Sequence, residues 1–177
     1  EMASEASSGV PYRLWIRGKA QSNSWANDSA FVQFDGSVTS AGTATYRIGT
    51  TSATAVTIED CTSCGLSGWG WNDNAIGTGV LGPEIYFAAS GTQRIRVQMR
   101  EDGLSIDQIV LSRGPYLSSA PGATKNDGTI LPAQGGSTEG APPPPPPPDP
   151  LPSGWESRDV GSVGPAGSAT EQSGVYT

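Results

Sequence analysis

Apolar and polar residues alternate in short runs from about residue 10 to residue 113. This alternation is typical of strands with one buried face, and clusters of Gly, Ser, Asn and Asp separate the runs as turns do. In the most regular run, Ile95, Val97 and Met99 are expected to face the core. No helical period is sustained over three turns, so the segment is predicted to be an all-β sandwich or barrel. The predicted strands are residues 12–17, 30–34, 44–48, 56–58, 85–88, 94–99 and 104–111.

The composition changes after residue 132, which divides the chain into three predicted parts. Residues 1–132 form the β-sandwich, with residues 114–132 as an extended exit from it. Residues 133–153 form a disordered Gly- and Pro-rich linker, whose proline tract at 142–148 favours polyproline II and acts as a semi-rigid spacer. A ligand for SH3 or WW domains is the alternative, but no Lys or Arg flanks the prolines. Residues 154–177 begin a second, partial β domain.

The two ends of the chain look like cuts in a longer polypeptide. The chain opens Glu-Met-Ala-Ser-Glu, without the basic and apolar regions of a secretory signal. A predicted strand is already under way at residue 12, and the last residues are again strand-like. We therefore expect a fragment of a multidomain protein, with a sandwich that lacks its N-terminal strands.

Charge and composition exclude several functional classes. The chain has no histidine, 10 basic residues and 17 acidic residues, which gives a net charge of −7. The missing histidine removes Ser-His-Asp and Cys-His catalysis, and the negative charge disfavours nucleic-acid binding. No run of about 18 apolar residues is present, so no membrane span is predicted.

Catalysis by carboxylates alone needs separate consideration. Paired carboxylates can serve a glycosidase without histidine. The available candidates are Glu59, Asp60, Asp73 and Glu84, but such residues occur on any acidic surface. We therefore predict that this part of the protein is not an enzyme.

Cys61 and Cys64 are the only cysteines. The α/β pattern that surrounds a redox Cys-x-x-Cys motif is absent, and a zinc site needs two further thiolate or imidazole ligands that the chain lacks. A short-loop disulfide is the favoured interpretation, with a reduced pair as the alternative. A disulfide implies export to an oxidising compartment.

The segment Gly68-Trp69-Gly70-Trp71-Asn72-Asp73-Asn74 carries the most informative chemistry. Two tryptophans two positions apart on a strand share a face, and the neighbouring glycines leave that face open. An aromatic platform rimmed by the amides of Asn72 and Asn74 is what a sugar ring with its hydroxyl groups requires. Trp25 and Asn27 repeat this chemistry in a loop. The alternative is that the tryptophans pack in the core and the amides form turns.

Several pieces of the chain occur in the order found in one group of sugar-binding domains. They are residues 12–18, 27–29 leading into 31–36, 68–71, and 91–97 followed by 104–111. Through them, residues 10–111 resemble carbohydrate-binding modules of families 6 and 35 and their malectin-like, galactose-binding-like relatives. The resemblance implies a jelly-roll β-sandwich in which Trp71 stacks on the sugar and Asn27 lies near the site. In the predicted second domain, residues 159–164 together with 174–177 resemble the first strands of a laminin-G-like β-sandwich.

Asp107 shares strand parity with Ile109 and Leu111, so it is expected to face apolar neighbours, where a carboxylate needs a cation or several donors. In the resembled modules the matching acidic residue helps to hold a structural calcium ion. Calcium takes about 6–8 oxygen ligands, and the N-terminal strand that supplies most of the others is expected to be missing. The alternatives are a bulge that turns Asp107 outward, or bonds to backbone N–H groups.

Two functions are consistent with these features. The first is a non-catalytic module of a secreted or cell-surface protein that binds a polysaccharide through Trp25, Asn27, Trp69, Trp71, Asn72 and Asn74. The second is a structural or adhesive spacer with the same sandwich and no sugar site. Exposure of Trp71 favours the first, and burial of all three tryptophans favours the second.

Overall fold

The computed structural model describes residues 1–132 and, beyond them, Glu171–Gln172 and Val175–Tyr176. Among the described residues no α-helix is present, and two 3₁₀ turns lie at Gln21–Asn23 and Trp25–Asn27. The all-β prediction is confirmed. The strands of residues 1–132 are β1 (Met2–Ala6), β2 (Arg13–Ala20), β3 (Ser29–Phe34), β4 (Ser37–Val38), β5 (Thr54–Thr57), β6 (Gly70–Asn72), β7 (Tyr86–Phe87), β8 (Gly91–Met99) and β9 (Leu104–Ser112).

Two antiparallel sheets share one apolar core, as in a β-sandwich. The four-stranded sheet has the order β1-β8-β3-β5, the three-stranded sheet has the order β6-β2-β9, and β4 pairs with β7. The chain therefore moves repeatedly from one sheet to the other, as the predicted jelly roll requires. Leu14 and Ile16 of β2 enter the same buried cluster as Val32, Phe34 and Ile95 of the four-stranded sheet.

The chain packs into two compact units, one at Glu1–Gly136 and another at Ser137–Thr177. In the second unit the described residues form two short strands, β10 (Glu171–Gln172) and β11 (Val175–Tyr176), which pair antiparallel. The predicted linker at 133–153 lies outside the described residues. So does most of the predicted second domain at 154–177.

The face of the three-stranded sheet turned away from the core, here called the outer face, is also largely buried. Arg13, Trp15 and Arg17 alternate with the core residues of β2 and are all buried. Residues 114–131, which we call the strap, cross this face. Trp15 Nε1 donates to the carbonyl of Tyr116 at 2.7 Å, and Arg13 Nε donates to that of Leu117 at 3.0 Å. The predicted exit segment is thus part of the domain.

The strap continues across β6 and β9. The backbone N–H of Trp71 donates to the carbonyl of Ala123 at 3.0 Å. At the far end, the Gln108 amide bonds to the backbone of Leu131 in both directions, at 2.7 and 2.9 Å. These bonds give the indole of Trp15, the backbone N–H of Trp71 and the amide of Gln108 the partners that buried polar groups require.

Three local predictions differ from the structure. β1 is not among the predicted strands, yet it pairs with β8 from Met2↔Ile95 to Ala6↔Gly91. Residues 44–48 form only isolated bridges, because Tyr46 has a positive φ of 49° that interrupts an extended strand. Met99 is 70% exposed because β8 ends there.

Gly70→Ala tests the contact between the strap and β6. A Cβ atom at Gly70 would overlap the backbone carbonyl of Thr124 and lie 3.0 Å from the nitrogen of Lys125. Backbone cannot yield as a side chain can, so we expect a loss of about 1–3 kcal/mol in the free energy of unfolding. We also expect faster tryptic cleavage at Lys125. Gly128→Ala is the control, since nothing lies within 4 Å of its Cβ position; equal cleavage in both variants would contradict the contact.

Candidate functional site

Trp71 does not form an exposed platform. It is fully buried on β6, opposite Arg17 on the outer face. Its indole Nε1 donates to the carbonyl oxygen of Thr129 in the strap at 3.1 Å. The prediction that Trp71 stacks on a sugar is therefore wrong, because the strap occupies the space that a sugar would need.

The amides that follow Trp71 also do not form a rim. Asn72 lies opposite Ile16, faces the core and is buried, and neither atom of its amide has a hydrogen-bond partner in the structure. Asn74 donates to the carbonyl of Pro83 at 3.2 Å. Between them, the Asp73 carboxylate accepts backbone N–H groups from Ala75 and Gly82. Asp73 and Asn74 therefore stabilise turns, as the alternative interpretation predicts.

Trp69 directly precedes β6 and is only half-buried. The guanidinium carbon of Arg17 lies 5.1 Å from the centroid of its ring, within the range of a cation–π contact. The predicted pair of tryptophans therefore meets Arg17 on the outer face, but only Trp69 reaches solvent.

A groove of about 420 Å³ opens beside Trp69. Lys19 of β2 and Ser105 of β9 are opposite each other in register and line it. We call this the Trp69 groove. Its lining residues are Lys19, Ala20, Gln21, Ser22, Trp69, Gly103, Leu104 and Ser105.

Backbone contacts bring the two loops of the Trp69 groove together. The N–H of Gln21 donates to the carbonyl of Gly103 at 2.9 Å. Gly103 has a φ of 87°, and a Cβ atom there would lie 2.9 Å from Cβ of Gln21 and 3.1 Å from Cγ of Asn27. Glycine is therefore required at this position for both the backbone conformation and the close approach.

Trp25 and Asn27 belong to the loop that borders the Trp69 groove. Trp25 is 71% exposed, so the three tryptophans are not all buried. The amide of Asn27 lies 3.3 Å from the carbonyl of Gln21. Asn23 accepts the N–H of Gly68 at 3.1 Å, which ties this loop to the residue before Trp69.

Sequence reasoning missed three polar residues of the groove: Lys19, Gln21 and Ser105. Each is a single polar residue on a strand or at its end, and no motif marks it. The one available signal is register, because Lys19 and Ser105 alternate with core-facing residues on two paired strands. The pairing itself could not be predicted from sequence.

Asp107 is the extra residue of a β-bulge. Gln108 and Ile106 oppose Arg17 and Gly18, so Asp107 has no partner in register. Its carboxylate forms an ion pair with the guanidinium of Arg17. The cation that balances Asp107 in the structure is thus arginine, as the bulge alternative allows.

No group of three or more His, Cys, Asp or Glu side chains suited to a metal ion is found in the part of the chain that the structure describes. The Arg17 guanidinium also donates to the carbonyl of Asp127 at 2.6 Å. Asp107 therefore fits a guanidinium partner, and calcium binding stays a prediction.

Cys61 and Cys64 are free thiols in the structure, so the predicted disulfide is not formed. The Cys64 thiol donates to the carbonyl of Cys61 at 2.9 Å. Hydrogen bonding with the Cys61 side chain raises the pKa of Cys64. Lys125 of the strap donates to the carbonyl of Cys64 and holds the loop without a covalent link.

Comparisons with protein-family models, curated proteins and solved structures found no match to this chain. Within its described part, the chain forms no helix long and apolar enough to cross a membrane. A function is therefore inferred from the geometry of the Trp69 groove.

Proposed function

We propose that this chain is a non-catalytic carbohydrate-binding module of a secreted multidomain protein and that it binds polysaccharide in the Trp69 groove. The observation that carries this proposal is the half-buried Trp69 ring, backed by Arg17 and bordered by Lys19, Gln21 and Ser105. An indole face suits the C–H side of a pyranose, and the ammonium, amide and hydroxyl groups suit its hydroxyls.

The position of Trp69 favours binding without a large conformational change. The cation–π contact with Arg17 restricts the ring, and Arg17 is itself fixed by Asp107 and the carbonyl of Asp127. A restricted ring loses little entropy when it stacks on a ligand. A groove of about 420 Å³ has room for few sugar units, so we expect weak binding per module, with avidity from linked domains.

Trp69→Ala is the direct test of this proposal. In affinity electrophoresis against a panel of soluble polysaccharides, with and without calcium, we expect one glycan class to retard the wild-type protein. Loss of the stacking surface should weaken that binding about tenfold or more. Phe31→Ala removes an exposed aromatic ring of β3, outside the lining of the groove, and as the matched control should retain most of the retardation. Equal retardation of wild type and Trp69→Ala would show that the polysaccharide does not bind in the Trp69 groove.

A structural spacer without a sugar site is the second candidate. The burial of Trp71 and Asn72 favours it, because two of the six predicted contact residues are inaccessible to a ligand. If no glycan retards a protein that circular dichroism shows to be folded, the spacer is the better description.

A further inference from the structure

A second groove, of about 220 Å³, shares no lining residue with the Trp69 groove. Two tyrosines and one carboxylate line it, together with three hydroxyl side chains. We call it the tyrosine groove. The residues in question are Tyr46, Tyr86, Glu84, Thr39, Ser40 and Thr45.

Tyr46 is held in an unfavourable backbone conformation at this groove. Its φ of 49° is in the left-handed region, which bulky residues rarely adopt. Two backbone contacts maintain it: the N–H of Tyr46 donates to Ser52 Oγ at 3.0 Å, and its carbonyl accepts the N–H of Phe34 at 2.8 Å. Such strain persists only where the surroundings fix it, and it is concentrated at functional sites.

Glu84 is also fixed before any ligand arrives. The hydroxyl of Tyr86 donates to its Oε2 at 2.9 Å, and Arg13 lies 3.8 Å from its Oε1. The Glu84 side chain is still 35% exposed, so the carboxylate faces both the protein and the solvent. The hydrogen bond to Glu84 raises the pKa of Tyr86, which keeps that hydroxyl a neutral donor.

The charges around Glu84 do not cancel. Arg13 lies 3.9 Å from Asp73 and 3.8 Å from Glu84, so one guanidinium serves two carboxylates. Asp73 is buried, and the excess negative charge is therefore accessible only at Glu84. Among the described residues that line the groove, none is basic.

We propose that the tyrosine groove binds a small organic cation, with an ammonium or quaternary ammonium group beside Glu84 and the rings of Tyr46 and Tyr86. Aromatic rings attract cations through their quadrupole, and a fixed carboxylate adds direct charge complementarity. The net charge of −7 favours the approach of cations to the protein. This site is independent of polysaccharide binding in the Trp69 groove.

Isothermal titration with choline and tetramethylammonium tests the proposal. A comparison of glucosamine with glucose then shows whether the groove also takes the ammonium group of an amino sugar. We expect the cations to bind and glucose not to bind. Glu84→Gln should weaken choline binding about fivefold or more. Asp102→Asn removes the same charge outside the tyrosine groove and should leave choline binding unchanged.

A second pair of variants keeps the test decisive if Glu84→Gln does not fold. Tyr86→Phe retains the aromatic face and should keep most of the affinity for choline, whereas Tyr86→Leu removes the ring and should lose it. Absence of choline binding to the folded wild type would overturn the proposal. Binding of glucose as tight as that of choline, or equal choline affinity in the Phe and Leu variants, would also overturn it.

Discussion

Replacing Trp71 with alanine is expected to lower the free energy of unfolding by about 3–5 kcal/mol, the usual range for truncating a large buried aromatic residue. Its ring is fully buried between β6 and the strap. Truncation leaves a cavity there, and it also removes the donor for the carbonyl of Thr129. Both losses act on stability, so Trp71 should behave as a packing residue.

Urea denaturation followed by far-ultraviolet circular dichroism measures this effect. Trp25→Ala is the control: its side chain is mostly exposed, and its stability should stay within about 0.5 kcal/mol of wild type. Trp71→Phe should recover part of the loss, since it refills the cavity without the N–H donor. A Trp71→Ala variant of unchanged stability that no longer binds glycan would restore the interpretation of Trp71 as a sugar platform.

The contrast between Trp69 and Trp71 illustrates what sequence could and could not predict. Their spacing indicates a shared face, and both do lie against Arg17 on the outer face. Their exposure is set by the strap, whose Thr129 lies 58 positions after Trp71. No pattern around residue 70 reports how a distant segment packs, so the burial of Trp71 and the partial exposure of Trp69 could not be predicted from sequence.

The strands were predictable where one face is apolar. In β2, Leu14 and Ile16 alternate with residues of the outer face, and the core confirms that alternation. β1 has no such signal, because only Ala6 among its residues is buried. Its place in the sheet comes from backbone pairing with β8, which does not depend on apolar side chains.

Asp107 shows how one inserted residue changes a prediction about chemistry. Simple alternation places it with Ile109 on the core side, where a carboxylate would require a bound cation. The bulge opposite Arg17 and Gly18 breaks the alternation, and the carboxylate reaches the Arg17 guanidinium instead. Bulges leave little trace in a single sequence, so the ion pair could only be found in the structure.

Asp28 is the residue whose charge should most strongly couple stability to pH. It is only 2% exposed, and Glu101 accepts its backbone N–H at 3.1 Å. Burial first, and then the neighbouring Glu101, raise the pKa of Asp28 from 3.8 to about 6. The hydrogen bond from Glu59 N to its carboxylate, at 2.9 Å, acts in the opposite direction without reversing the shift.

A carboxyl whose pKa is raised by folding destabilises the folded state once it is ionised. For Asp28 this cost is fully present above about pH 6 and is relieved as the pH falls toward 3.8. Burial is outweighed by hydrogen bonds from the Ser29 hydroxyl and the backbone N–H of Asp28, which lower the pKa of Glu101 below its ordinary 4.5. Its stabilising contribution is therefore present above that pH and is lost at lower pH. Together the two shifts predict that the folded state is most stable in mildly acidic solution, where Glu101 is ionised and Asp28 is still largely protonated.

Asp28→Asn should therefore raise the free energy of unfolding at pH 7 to 8. Asparagine can still accept the N–H of Glu59, and its amide can donate to Glu101 as a protonated Asp28 would. A pKa raised from 3.8 to about 6 corresponds to about 3 kcal/mol, which is the upper bound for the gain.

Urea denaturation between pH 4 and 8 should show a wild-type stability that falls from pH 5 to 7 and a variant that stays nearly level there. Asp102→Asn, with the same change in net charge at an exposed position, should retain the wild-type slope. Parallel slopes for wild type and Asp28→Asn would show that Asp28 ionises without cost, and that its carboxylate is better solvated than its burial implies.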